Sequence, residues 1–140
     1  MDFTYKITVF TPTYNRAYII ENLYRSLQRQ SYTDFEWLVV DDGSAESYQE
    51  IFDRIASWDK CHVLHHEVNR GKGAALKTAF AWFLENRPEA AGVVTVDGDN
   101  QHHPEDTRAC SLRMLETNRI VLGVRDFNQP DVPFKSRNGN

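Results

Sequence analysis

The sequence predicts an α/β fold: a mostly parallel sheet with helices on both faces. Three observations predict it. Five short β-rich apolar runs punctuate the chain: Ile7–Phe10, Trp37–Val40, His62–Leu64, Val93–Val96 and Ile120–Val124. They are mostly continuous rather than alternating, as strands buried on both faces of a parallel sheet are. Helical spacing fills the intervals, giving strand–helix four times and then a fifth strand, an order that specifies right-handed crossovers.

Each helix has its own signature. Ile20, Leu23, Tyr24 and Leu27 share one face of the first. Tyr48, Ile51, Phe52 and Ile55 share a face of the second, with Ser47 and Glu50 at capping-box spacing in front. Leu76, Ala79, Phe80 and Phe83 repeat the period in the third. The fourth opens at Pro104, which has no N–H to leave unpaired in a first turn. Glu105 and Asp106 follow at the positive end of the helix dipole, and the helix runs on through Leu112 and Leu115. From Asp126 to Asn140 neither period holds, and Pro130, Pro133 and Gly139 mark a loop. The expected organisation is a ligand-binding half-domain over 1–125 and a loop tail over 126–140. A loop of that length at the end implies that an acceptor-side region continues beyond it.

Bulk properties bound the function. With 140 residues, 41% of them apolar, the chain is one domain in size and can bury an ordinary core. A net charge of -4 argues against a general nucleic-acid binder. It leaves room for a phosphate ligand, which needs only local positive charge and backbone N–H groups. Cys61 and Cys110 are far apart with no CxxC, so reduced thiols are expected. Met1–Phe10 lacks the basic start and long apolar run of a signal peptide, and no stretch approaches the ~20 apolar residues of a membrane span. The expected location is the cytoplasm, free or peripheral to a membrane.

Ligands of open α/β sheets gather at the carboxyl ends of the strands. Thr11-Pro12-Thr13-Tyr14-Asn15-Arg16 follows the first strand and Asp41-Asp42-Gly43-Ser44 the second. Asn69-Arg70-Gly71-Lys72-Gly73 follows the third, Asp97-Gly98-Asp99-Asn100-Gln101 the fourth, and Arg125-Asp126 the fifth. The opposite ends, such as Asp34-Phe35 and Pro88-Glu89-Ala90, look plainer.

Asp97-Gly98-Asp99 is the sharpest of these. Two carboxylates flanking a glycine, with a Gln101 carbonyl two residues on, suit a hard cation, Mg²⁺ or Mn²⁺, bridging to phosphates. The same residues also suit a plain Asp-Gly turn. His102-His103 has no further ligands at zinc spacing, and His65-His66 lacks ligand company and reads as a strand end. Asp41 and Asp42 can accept hydrogen bonds from a base N–H or ribose hydroxyls, while Ser44 fits a helix cap. Arg70-Gly71-Lys72-Gly73 opens a helix where glycines let backbone approach a phosphate, though it matches neither a Walker A loop nor GxGxxG. Arg125 brings a charge to the same rim, although a lone arginine is more often a solvated one.

Together these residues resemble the GT-A fold of family-2 glycosyltransferases, over essentially the whole chain. Ile7 to Arg16, ending TPTYNR, resembles the family's nucleotide-binding first loop, and FEWLVVDDGS its second strand with the nucleoside-binding Asp. VDGDNQHHPED is similar to its metal-binding DxD segment. NRGKGAALKTAF and LGVRDFNQPDVPFKSRNGN resemble the branch that charges polyprenyl phosphates, the dolichyl-phosphate mannosyl- and glucosyltransferases, while the first forty residues resemble the generic sugar-transferring branch. The resemblance implies that Pro12, Tyr14 and Asn15 line the base and ribose pocket, where the polyprenyl branch often has an acidic residue at or near Asn15. It implies that Asp42 or Asp41 contacts the nucleoside, that Asp97 touches ribose or metal, and that Asp99 and Gln101 ligate the metal. Asp99 and Arg125 would carry the catalytic roles, Arg125 by stabilising the phosphates, with Arg70 and Lys72 among the nucleotide-binding residues.

The implied activity is metal-dependent, inverting transfer from a nucleotide-diphosphate sugar to a polyprenyl phosphate at the membrane surface. The glucosyl-type look of the tail favours a UDP-sugar over a GDP-sugar. Two other readings compete. One is a non-catalytic nucleotide-sugar-binding fragment. The other is a sugar nucleotidyltransferase, which usually places a Gly-rich basic loop after the first strand; Thr11–Arg16 has no glycine. The sequence carries no signal for oligomeric state.

Overall fold

The computed structural model describes residues 7–97 and 102–124. The chain divides into two compact units, Met1–Pro88 and Glu89–Asn140.

The first unit is built on three strands: β1 (Ile7–Thr13), β2 (Phe35–Asp41) and β3 (Cys61–His65). They lie in the order β1-β2-β3, all parallel. β1 and β2 are joined by α1 (Ala17–Gln28); β2 and β3 by a 3₁₀ turn (Glu46–Tyr48) and α2 (Gln49–Ala56). α3 (Lys72–Asn86) follows β3. The central strand explains the layering. Trp37, Leu38, Val39 and Val40 are each 0% exposed, so both of its faces are covered. Trp37 and Val39 pack with Ala17 and Ile20 of α1 and Phe52 and Ile55 of α2. Leu38 and Val40 point the other way, against Ala75 and Ala79 of α3. Tyr24 stacks on Trp37 and on Trp58, at centroid distances of 5.2 and 4.7 Å.

The α/β arrangement with helices on both faces matches the sequence expectation, with local differences. The buried stripe of α3 is Ala75, Ala79 and Phe83, so it turns about one residue from the expected Leu76 face. Two alanines at the contact let that helix lie close to the sheet. Ser47 and Glu50 form no capping box. Ser47 sits inside the 3₁₀ turn, where Tyr48 N–H bonds to the Ala45 carbonyl, and α2 has no side-chain cap. The tighter turn satisfies with backbone what the box would have satisfied with side chains.

In the second unit α4 spans Pro104–Thr117, with Pro104, Glu105 and Asp106 in its first turn as the sequence predicts. It ends at Asn118, which is left-handed (φ 50°) and donates its N–H to the Met114 carbonyl at 2.8 Å. Val93–Val96 and Ile120–Val124, expected to be the fourth and fifth strands, have no regular structure, and the sheet has three strands among the described residues. An apolar β-branched run records a preference for burial and extended backbone; the ladder bonds that make a strand must come from a neighbour. Ile120 is 93% exposed. The expected tail over 126–140 lies outside the described residues. No helix among the described residues is long and apolar enough to cross a membrane.

Candidate functional site

The carboxyl ends of β1, β2 and β3 are bound to one another by side chains. After β1, Asn15 adopts a left-handed conformation (φ 52°). Its N–H donates to Ser44 Oγ at 2.8 Å, and its Oδ1 accepts from the Ala45 N–H at 2.9 Å. The Ser44 N–H in turn donates to Asp41 Oδ1 at 2.9 Å. Ser44 therefore joins two loops instead of capping a helix, as the sequence reading had it. Pro12 sits within β1, paired with Val40, and Tyr14 is exposed beside Asn15.

Asp41 and Asp42 are each only 4% exposed. Asp41 Oδ2 lies 3.0 Å from His65 Nδ1. Asp42 Oδ1 lies 2.6 Å from His66 Nδ1 and accepts the Arg70 N–H at 3.0 Å, while Oδ2 accepts the Gly71 N–H at 2.7 Å. His66 Nε2 is 2.8 Å from Thr78 Oγ1 on α3. With Asp42 ionised, His66 Nδ1 carries the proton between them, and the second ring nitrogen and the Thr78 hydroxyl share the other bond. Burial alone would raise the Asp42 pKa; the His66 bond and the Arg70 and Gly71 N–H groups more than offset it and hold the carboxyl below its ordinary value. His65 ends β3, as its strand-end pattern predicts, and the structure adds an aspartate partner for each of the two histidines. Asp41 is in register with His65, so two acidic residues at the end of one parallel strand face two histidines at the end of the next.

Gly43 completes this contact. Its φ is +75°, and a Cβ there would lie 2.3 Å from the Val68 carbonyl carbon and 2.4 Å from the Asn69 nitrogen. The β3–α3 loop runs directly against the turn, which only glycine permits. Gly71 (φ +88°) then opens α3, its carbonyl accepting the Ala74 and Ala75 N–H groups. Arg70-Gly71-Lys72-Gly73 therefore starts a helix as expected, with Arg70 and Lys72 exposed. The Gly71 N–H faces inward, toward Asp42 and Asn69.

The other end of the sheet is not plain. Glu36, near the start of β2, is 8% exposed. It pairs with Arg87 through both oxygens, accepts the Thr8 hydroxyl at 2.6 Å, and lies 3.3 Å from His62 Nε2. The Arg87 guanidinium also covers the Trp82 ring at 5.3 Å. Burial pushes the Glu36 pKa up, but Arg87, Thr8 and His62 bring it below the usual value. Nothing in the sequence near Asp34-Phe35 announced this cluster, because Arg87 is 51 residues away.

In the second unit the Asp97 N–H donates to His102 Nδ1 at 3.3 Å. The other expected metal donors, Asp99 and Gln101, lie outside the described residues, as does Arg125. Among the described residues no group of three or more His, Cys, Asp or Glu side chains could hold a metal. The expected donor set is all oxygen, which fits a hard divalent cation by chemistry.

Residues 8–140 match the description of glycosyl transferase family 2. The UDP-N-acetylglucosamine--dolichyl-phosphate N-acetylglucosaminyltransferase of Methanococcus voltae is 26% identical over 96% of this chain and 59% of its own length. The polyprenol monophosphomannose synthase of Mycolicibacterium smegmatis is 35% identical over 74% of this chain and 38% of its own. Among solved structures, the mannosyltransferase PcManGT from Pyrobaculum calidifontis, in complex with GDP-Man and Mn²⁺, superposes with a TM-score of 0.48 and 32% identity over 56% of this chain and 25% of that one. The chain spans about half the length of the curated relatives it matches. With nearly all of its residues inside one family description, the chain belongs to glycosyl transferase family 2.

Proposed function

We propose that the chain is the donor-binding part of a metal-dependent, inverting glycosyltransferase. It takes a nucleoside diphosphate sugar, a UDP-sugar in preference to a GDP-sugar, for transfer to a polyprenyl phosphate at a membrane surface. The observation that carries this reading is the family match over residues 8–140, whose first half folds with its polar loops gathered at the carboxyl end of a parallel sheet. That is where such sheets bind nucleotides. The names of the dolichyl-phosphate and polyprenol relatives support the acceptor class.

In this reading Pro12, Tyr14 and Asn15 line the base and ribose pocket, with Asp41 and Asp42 framing its floor. Arg70 and Lys72 present positive charge to the diphosphate. Asp97, Asp99 and Gln101 hold Mg²⁺ or Mn²⁺, which when bound neutralises the developing charge on the leaving nucleoside diphosphate. Arg125 adds a further cation to the same charge. A phosphate acceptor is already an anionic nucleophile, so no strong general base is required of these residues.

The test is titration calorimetry of the full-length protein with UDP- and GDP-sugars, with and without Mn²⁺, on wild type and Asp99→Ala. Binding that needs the metal and disappears in Asp99→Ala, with the circular dichroism spectrum unchanged, is the expected result. Metal-independent binding, or equal affinity in the variant, would show Asp97-Gly98-Asp99 to be only a turn. Sugar transfer to a polyprenyl phosphate separates an enzyme from a non-catalytic binding module.

A further inference from the structure

We propose that His66 is a positioning residue: the Asp42–His66–Thr78 chain fixes the path of the Asn69–Gly73 loop and so aims Arg70 and Lys72. The functional half of this inference rests on the donor reading above. The connection itself is built from three elements. Asp42 extends the end of β2, His66 the end of β3, and Thr78 lies in the second turn of α3. The His66 and Asp42 side chains are 6% and 5% exposed, so water competes little for these bonds.

Two details make this a positioning device rather than generic packing. Asp42 grips the main chain, through the Arg70 and Gly71 N–H groups, and not the basic side chains. It thereby sets the backbone from which those side chains project. The carboxylate is itself oriented by His66, whose other nitrogen is held by Thr78 on the helix that the loop opens. Loop and helix are thus both referenced to one imidazole. If the ring could not donate, Asp42 would be a buried anion short of a partner and would turn toward water, releasing the two amides.

The test uses the full-length protein as wild type, His66→Phe, His66→Asn and Thr78→Val. Amide exchange at Arg70 and Gly71 is measured without nucleotide, and affinity for UDP and for GDP, each with Mn²⁺, by calorimetry. His66→Phe should speed exchange at both amides and weaken nucleotide binding about tenfold, a change that the loss of one buried charge-assisted bond can supply. His66→Asn keeps an N–H near the Nδ1 position and should restore most of both. Thr78→Val removes only the outer bond and should weaken binding about threefold; it decides the matter if the phenylalanine variant does not fold. Unchanged exchange in a folded variant overturns the positioning role, and so does faster exchange with unchanged affinity. A wild type that binds neither nucleotide overturns the donor reading instead, and the exchange measurement then still decides what His66 does to the loop.

Discussion

Gly43→Ala is the substitution whose cost can be worked most directly. The new methyl would meet backbone atoms at 2.3, 2.4 and 2.7 Å, from Val68 and Asn69, none of which is a flexible side chain that can swing away. Its φ of +75° adds a conformational cost of roughly 1–2 kcal/mol for a non-glycine residue. Relieving the overlap requires the β3–α3 loop to move off the turn, which by analogy with overpacked cores costs about 1–3 kcal/mol. The expected loss is therefore about 2–5 kcal/mol, a large share of the ~5–15 kcal/mol that holds a typical domain. Gly71→Ala tests the backbone cost without the overlap, since Gly71 also has positive φ (+88°, with ψ 158°, a region that itself disfavours any Cβ) but nothing within 4 Å of its added methyl. Urea denaturation followed by circular dichroism measures both, with stability taken from the midpoint at constant slope. A loss of less than about 1 kcal/mol in Gly43→Ala refutes the close approach of the β3–α3 loop to this turn.

Two further outcomes follow from the buried carboxylates. The Asp42 pKa is lowered in the fold, so its stabilisation is fully present above the unfolded carboxylate value of about 3.9 and is lost as the pH falls through the lower folded value. Asp42→Asn should therefore flatten the acid limb of stability below about pH 4 in denaturation runs from pH 5 to pH 2; an unchanged limb would show that Asp42 does not drive it. Arg87→Met leaves the buried Glu36 without its main cation and should cost about 3–5 kcal/mol at pH 7. Adding Glu36→Gln to that variant should return part of the loss, and a double-mutant cycle with no coupling would disprove the pairing.

Which parts of this were legible in the sequence follows from the range of each interaction. Trp37–Val40 was readable as a doubly buried strand because continuous apolarity is a local property. Pro104, Glu105 and Asp106 announced α4 for the same reason. Val93–Val96 and Ile120–Val124 carry a similar local signal, yet no ladder forms there, since pairing depends on a partner that composition does not specify. At the site, the acidic pair Asp41-Asp42 was visible, but its immediate neighbours were not. Carboxylates after a strand read naturally as ligand-facing; here their oxygens meet His65, His66 and the amides of Ser44, Arg70 and Gly71. Finding that needed the register of β2 on β3. Glu36 was harder still, because its cluster draws on Thr8, His62 and Arg87, each distant in sequence.

The two ends of β2 have a consequence for folding fidelity. A strand that is apolar on both faces gains little from any one alignment with its neighbours: a slip by one residue would exchange Trp37 and Val39 for Leu38 and Val40, greasy for greasy. Polar groups supply the discrimination that the apolar centre lacks. Glu36 must reach Arg87 and Thr8 at one end while Asp41 and Asp42 reach His65 and His66 at the other. A displacement of one residue, about 3.3 Å along the strand, would strand charges at both ends at once. The strand is thus pinned like a ruler fixed at both tips, and misaligned pairings are rejected by unsatisfied charge rather than by shape.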